Sequence, residues 1–203
     1  MTYAKTLGLL AVAAAALMAF AGTASATILT SENGQQFGVG VKIEGKAIGG
    51  VVIDGGVNVS CKEGEIKNAV NIPGDASSTV SGGINSVLFG ECGSNTVSIA
   101  STGSFEIHTD NINKNDGNGV FTANSVEITV LTHNLVGTVH CLYVTDKTFI
   151  GTILGSKNRS KENATIEIGS APISRKVTDF GCTKDAEWTG KYELTEPGYM
   201  DVD

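Results

Sequence analysis

From residue 27 onward the chain alternates apolar and polar side chains with a period of two. The segments Lys42-Ile43-Glu44, Val57-Asn58-Val59-Ser60-Cys61, Phe105-Glu106-Ile107-His108 and Val126-Glu127-Ile128-Thr129-Val130 show the pattern. So do Val139-His140-Cys141-Leu142-Tyr143, Ala164-Thr165-Ile166-Glu167-Ile168 and the stretch from Trp188 to Leu194. Successive side chains of a strand point to opposite faces, so this alternation predicts half-buried strands. The segments are rich in β-branched residues, which suit a pleated surface. Turn signals such as Asp54-Gly55-Gly56 and Asn115-Asp116-Gly117-Asn118-Gly119 separate them. No segment shows a convincing helical period. Roughly ten or more short strands with turns between them predict an all-β chain, an antiparallel sandwich or barrel rather than βαβ units.

The N-terminus follows another rule. Lys5 precedes an apolar run from Leu7 to Ala21, and the small residues Ala24-Ser25-Ala26 come after it. This is the pattern of a secretory signal peptide, with cleavage between Ala26 and Thr27. The run is shorter than the roughly 20 apolar residues of a membrane-spanning helix and ends at Gly22. Residues 1–26 are therefore read as a leader and 27–203 as an exported all-β domain. Thr27 stands where a lipoprotein would carry cysteine, and no later apolar run is long enough to span a bilayer. The expected location is outside the cytoplasm, secreted or held at the envelope surface.

All four cysteines, Cys61, Cys92, Cys141 and Cys182, lie in the exported part. An even count in an oxidising compartment reads as two disulfides. None forms a C-x-x-C pair, which leaves zinc ribbons and thioredoxin-like chemistry poorly supported. Sequence alone leaves the connectivity open. Local loop closure favours Cys61 with Cys92 and Cys141 with Cys182. Each second cysteine also ends a similar stretch, Val87-Leu88-Phe89-Gly90-Glu91-Cys92 and Val177-Thr178-Asp179-Phe180-Gly181-Cys182. That likeness points to two similar halves, 27–122 and 123–203.

Composition removes other classes. The chain is 41% hydrophobic and only 17% charged, with 26 Gly and 3 Pro, which excludes a disordered tail, a collagen repeat and a coiled coil. Its 14 basic and 21 acidic residues give a net charge of −7. No basic footprint is available to neutralise a phosphate backbone, so nucleic acid is not an expected partner. A domain of this size can bury about 70% of its unfolded surface. With one Trp and 6% aromatic residues, its core must be built mainly of Val, Ile and Leu.

Several pieces occur together in a known group: the leader ending Ala24-Ser25-Ala26, the strand at Cys61 and Ser86-Val87-Leu88-Phe89 before Cys92. Gly103-Ser104-Phe105-Glu106-Ile107-His108, Gly117-Asn118-Gly119 and the tail from Cys182 with Trp188-Thr189-Gly190-Lys191-Tyr192 belong to the same set. On these the chain resembles a group of secreted actinobacterial proteins to which no activity is assigned. The resemblance covers most of the chain and implies export, β-structure and paired cysteines; it implies no site. The chain departs from the group in replacing part of its serine and threonine by Lys, Glu and Asp, which suits a soluble surface.

The candidate chemistry is sparse. His108 and Asp110 close one predicted strand, and His133 and His140 flank a later boundary, yet there is no H-E-x-x-H and no G-x-S-x-G. In the alternation His108 and His140 fall among outward-facing residues. The segment Asp110–Gly119 places Asn111, Asn113 and Asn115 at alternate positions, like the first half of a calcium loop. Asp116 stands where glycine is needed and Thr122 where glutamate is needed, so a turn is the stronger reading. Asn58-Val59-Ser60, Asn158-Arg159-Ser160 and Asn163-Ala164-Thr165 match a glycosylation pattern, which behind a leader of bacterial type is read as accidental. Lys157, Arg159 and Lys161 concentrate positive charge between Ser156 and Asn163, a solvated turn or a contact for an anionic wall polymer. Trp188, in alternation with Tyr192, is expected in the core. Two function classes remain. The first is a non-enzymatic exported β-protein that binds a cell-wall polymer or another surface protein or builds extracellular structure. The second is a secreted hydrolase using carboxylates such as Glu106 and Asp110. No cofactor or metal is implied.

Overall fold

The computed structural model describes residues 27–55, 58–74, 79–109, 116–134, 137–145, 149–177 and 180–203. The leader 1–26 lies outside them, as do Asp110 and the first part of the suspected calcium loop. The first strands are β1 (Leu29–Thr30), β2 (Lys42–Asp54), β3 (Asn58–Cys61), β4 (Glu63–Ile72), β5 (Val80–Gly90), β6 (Thr96–Ser101) and β7 (Ser104–Thr109). They are followed by β8 (Gly119–Asn124), β9 (Glu127–Asn134), β10 (Gly137–Thr145), β11 (Phe149–Leu154), β12 (Thr165–Arg175), β13 (Asp185–Glu196) and β14 (Asp201–Val202). The helical element among the described residues is a single 3₁₀ turn, Ser156–Arg159. The alternation therefore does report an all-β chain.

Eight strands form a closed antiparallel barrel in the order β11-β8-β7-β5-β4-β2-β13-β12, with β11 pairing back onto β12. Closure leaves no sheet edge within the ring. The remaining strands branch from it. β2 pairs with β4 through Lys42–Lys46 and with β3 through Val51–Asp54. β12 pairs with β11 through Thr165–Glu167 and with β10 through Ile173–Arg175. Beyond β10 lie β9 and then β6.

The branching has a local cause. Between its two ladders β2 passes through Gly49 and Gly50 at φ +85° and +87°, a conformation open mainly to glycine. A Cβ on Gly50 would also lie 2.8 Å from the carbonyl oxygen of Cys61. At the same level the β12–β13 register shifts between Ile168 and Ala171, and the β13–β2 register between Gly190 and Tyr192. Bulges bend and twist strands. A belt of them across three neighbours lets one set of long strands serve the barrel at one end and an open sheet at the other. This explains why β2 and β13 reach 13 and 12 residues where the sequence suggested short strands.

The inward positions fill the barrel: Ile43, Ile66, Val70, Val80, Phe105, Ile107, Phe121, Ile153, Ile166 and Leu194 are all buried. Phe105 and Phe121 stack with ring centroids 5.8 Å apart. Each such side chain contributes about 1.5–3 kcal/mol by leaving water. Trp188 is 2% exposed, a core residue as expected, and meets Phe89 and Tyr192 edge-on at 5.7 and 6.4 Å. The tail closes the fold onto its own start through the β1–β14 pair, with Leu29, Met200 and Val202 buried. The 122/123 junction lies inside β8, and strands from both sides of it build the one ring.

Cys61 is bonded to Cys92 and Cys141 to Cys182, across separations of 31 and 41 residues. This is the pairing that local loop closure favours. Cys61 and Cys92 stand opposite one another just past the Glu63–Gly90 pair, extending the β4–β5 ladder. The second bridge ties the loop between β12 and β13 onto β10, where Lys176 N–H also donates to the Leu142 carbonyl. Two disulfides favour an oxidising, extracellular setting. No helix among the described residues is long and apolar enough to cross a membrane.

Candidate binding groove

An open concavity lies where the two ladders of β2 fail to meet. Lys46 pairs with Glu65 of β4 and Val51 pairs with Cys61 of β3, which leaves Ala47–Gly50 facing Lys62–Gly64 without a ladder. This open groove, of about 600 Å³, is lined by Lys46, Ala47, Lys62, Glu63, Gly64 and Glu65, with Leu88, Phe89 and Gly90 of β5 along one wall. Its floor is made of small residues for a packing reason. A Cβ on Gly64 would meet Val51 at 2.7 Å and the Tyr192 ring at 3.3 Å.

The lining is chemically mixed. Leu88 is 54% exposed, while Phe89 is half-buried with its ring against Trp188. Lys62 forms an ion pair with Glu91 at 3.0 Å and Lys67 with Glu65 at 3.4 Å. Lys46 and Glu63 make no ion pair among the described residues, so one cation and one anion stay available to a ligand. The Cys61–Cys92 bridge lies at one end of the groove, just past the Glu63–Gly90 pair, and ties the start of β4 to the end of β5. Sequence reasoning missed this site. Its one signal was the Ile48-Gly49-Gly50 interruption in the alternation of β2.

The sequence candidates are scattered. A second, smaller cleft of about 230 Å³ on β7 and β8 is lined by Glu106, His108, Thr122 and Asn124 among others. It brings Glu106 and His108 to one face of β7; Asp110 lies outside the described residues. His133 accepts or donates a 3.0 Å hydrogen bond with Thr138 across the β9–β10 hairpin, and His140 is exposed on β10. Among the described residues no three His, Cys, Asp or Glu side chains gather as a metal site.

The described part of the suspected calcium loop is a structural turn. Asp116 accepts from the backbone and side-chain N–H groups of Asn118 at 2.9 and 3.2 Å. Asn118 in turn accepts from Gly155 N–H at 3.0 Å, and the Gly117 carbonyl accepts from Val202 N–H. The basic segment is tied down as well. Arg159 pairs with Glu162, and Lys161 pairs with Glu32 at 2.9 Å. Lys157 N–H donates to the buried Asp201, which also accepts from the Tyr199 hydroxyl at 2.8 Å. That bond to Asp201, aided by nearby negative charge, pushes the Tyr199 pKa up to about 12. Burial pushes the Tyr192 phenol up as well. Of the glycosylation matches, Asn58 and Asn163 are exposed.

Comparisons with protein-family models, with curated proteins and with solved structures return no match for this chain.

Proposed function

We propose that the protein is exported and acts outside the cytoplasm as a non-enzymatic binding module, with the β2–β4–β5 groove as its contact surface. The observation that carries this reading is the groove's construction. An exposed leucine and a half-buried phenylalanine on β5 lie beside β4 with its unpaired Glu63, β2 with its unpaired Lys46 follows on the far side of β4, and the Cys61–Cys92 disulfide ties the start of β4 to the end of β5. A contact surface fixed before binding loses less conformational entropy on association. Such a lining suits a partner that presents both charged and apolar groups, either a cell-wall polymer or another surface protein. The leader pattern of residues 1–26 supports export.

The test is capture of partners from the cell envelope by the native protein and by Leu88→Asp and Lys46→Glu variants. Both positions are solvent-exposed, so the melting temperature should stay within about 2 °C of the parent while capture falls. Equal capture by all three proteins overturns the groove assignment. A hydrolase reading rests on the Glu106–His108 cleft. It predicts a hydrolytic activity of the exported protein that Glu106→Gln abolishes while capture through the groove is untouched.

A further inference from the structure

We propose that the outer face of the barrel around Gly83 binds a neutral sugar unit. The site lies toward the opposite end of β4 and β5 from the groove and holds a sugar without cleaving it, so it stands or falls apart from both the groove and the hydrolase reading. It begins with two irregularities in the β4–β5 ladder. Lys67 pairs with Ser86 and Asn68 with Ile84, while Val70 pairs with Gly82 and Ile72 with Ser81. Each register shift leaves one residue over, Asn85 on β5 and Asn71 on β4. Bulges re-aim side chains in this way and recur beside functional sites.

Both amides are aimed at one spot. A Cβ on Gly83 would have the Asn71 Nδ2 and the Asn85 Oδ1 as its neighbours, each at 3.9 Å, and nothing else within 4 Å. Both asparagines are exposed, and neither side chain has a hydrogen-bond partner among the described residues. Gly83 itself serves no local need. Its φ is negative and the space beside it is open, whereas a Cβ on the preceding Gly82 would lie 2.0 Å from the Ala69 carbonyl oxygen. A glycine inside a strand weakens it, and where the fold does not require one it marks a place where a ligand comes close to the backbone.

The register carries this surface across the barrel. Gly83 pairs with Ser104 of β7 and Ser104 with Asn124 of β8; one step along, Ser81 pairs with Glu106 and Glu106 with Thr122. Ser104, Glu106, Thr122 and Asn124 also line the 230 Å³ cleft. The chemistry of this lining selects the occupant. β5, β7 and β8 contain no Lys or Arg, so an anionic ligand finds no counter-charge on them. Amides and hydroxyls both donate and accept, as sugar hydroxyls do, and the Glu106 carboxylate, which makes no ion pair among the described residues, accepts from hydroxyls. The bare backbone at Gly83 is a floor on which a sugar ring can lie.

Nuclear magnetic resonance titration of the protein with both disulfides formed tests the proposal, with cellotetraose, maltotetraose and chitotetraose as probes. At least one should bind saturably with a Kd of about 1 mM or tighter, shift the amide signals of Gly83, Ser104 and Asn124, and be recovered uncleaved. Gly83→Val should weaken that binding at least about tenfold while melting at or above the parent's temperature, because the position has room and valine suits a strand. The double change Asn71→Ala with Asn85→Ala should weaken it similarly with little effect on melting, since both side chains are exposed. No response to any of the three sugars at about 10 mM, binding indifferent to these variants, or a Gly83→Val protein that melts lower than the parent would each overturn it.

Discussion

At the scale of single residues, two side chains stand out because their polar atoms and their surroundings disagree or agree unusually well. Asn68 is 1% exposed on the inner face of β4, between Ile43 of β2 and Ile84 of β5, and among the described residues neither its oxygen nor its nitrogen has a partner. A buried polar group without a partner costs about 1–3 kcal/mol. Leucine is close in size and removes both orphan atoms, so Asn68→Leu should raise the melting temperature by several degrees; a lower one would mean that the amide is satisfied by water inside the barrel. Tyr199 is the opposite case, a phenol held protonated by Asp201. Its pKa stands at about 12 against an ordinary value of 10. The sign follows by linkage. Below pH 10 the tyrosine is protonated in both folded and unfolded chains and the contribution is complete. Between pH 10 and 12 the unfolded chain releases the proton while the folded one keeps it, so stability falls with rising pH. In melting curves from pH 9 to 12, Tyr199→Phe should start lower than the parent and lose less over this window. Parallel curves would dissociate the shift from stability.

At the scale of elements, the bulged belt decides the architecture, and Gly50 is its most constrained point. Ala in its place would have to hold φ +87° and bring a methyl within 2.8 Å of the Cys61 carbonyl oxygen. Either β3 moves away or β2 straightens, and both disturb the groove. A cost of about 1–3 kcal/mol is expected, readable as a shift in the denaturant midpoint. Gly49→Ala carries the same positive φ but meets nothing within 4 Å, so it should cost less. The strands themselves were legible because period two survives wherever one face is buried: Ile43, Ile107, Ile128 and Ile166 are all inward, as their alternation required. What the alternation does not encode is partner exchange. Whether β12 continues along β11 or β10 depends on a register shift near Gly169, and a glycine in a strand is equally compatible with a bulge, a bend or a turn. The closing β11–β12 pair and the groove were hidden for that reason. The cysteine pairing was legible because each bridge joins positions brought together by one local excursion of the chain.

At the scale of the whole molecule, the disulfides act on different parts of one sheet system and should not be equivalent. In the chain-entropy account, closing loops of about 30–40 residues stabilises by roughly 3–4 kcal/mol each, a large fraction of a typical total of about 5–15 kcal/mol. On loop length alone Cys141–Cys182 should matter as much as Cys61–Cys92. Their settings separate them. Cys61–Cys92 continues the β4–β5 ladder beside the unpaired stretch of β2, backed there by a long 3.4 Å bond from Lys62 N–H to the Glu91 carbonyl and by the exposed Lys62–Glu91 ion pair. Cys141–Cys182 pins a loop that is also held by Lys176 N–H on the Leu142 carbonyl and by the Arg175 guanidinium on the Cys182 carbonyl at 2.6 Å. Removal of either bridge as a Cys→Ala pair should lower the melting temperature by roughly 6–16 °C, from about 2–4 °C per kcal/mol for a domain of this size. Loss of Cys61 and Cys92 should in addition raise amide exchange along Lys62–Gly64 and Leu88–Gly90 and weaken capture through the groove. Loss of Cys141 and Cys182 should leave groove capture intact. If the two double variants lose groove binding equally, the bridges serve the fold as a whole, and the groove owes its shape to the barrel rather than to Cys61–Cys92.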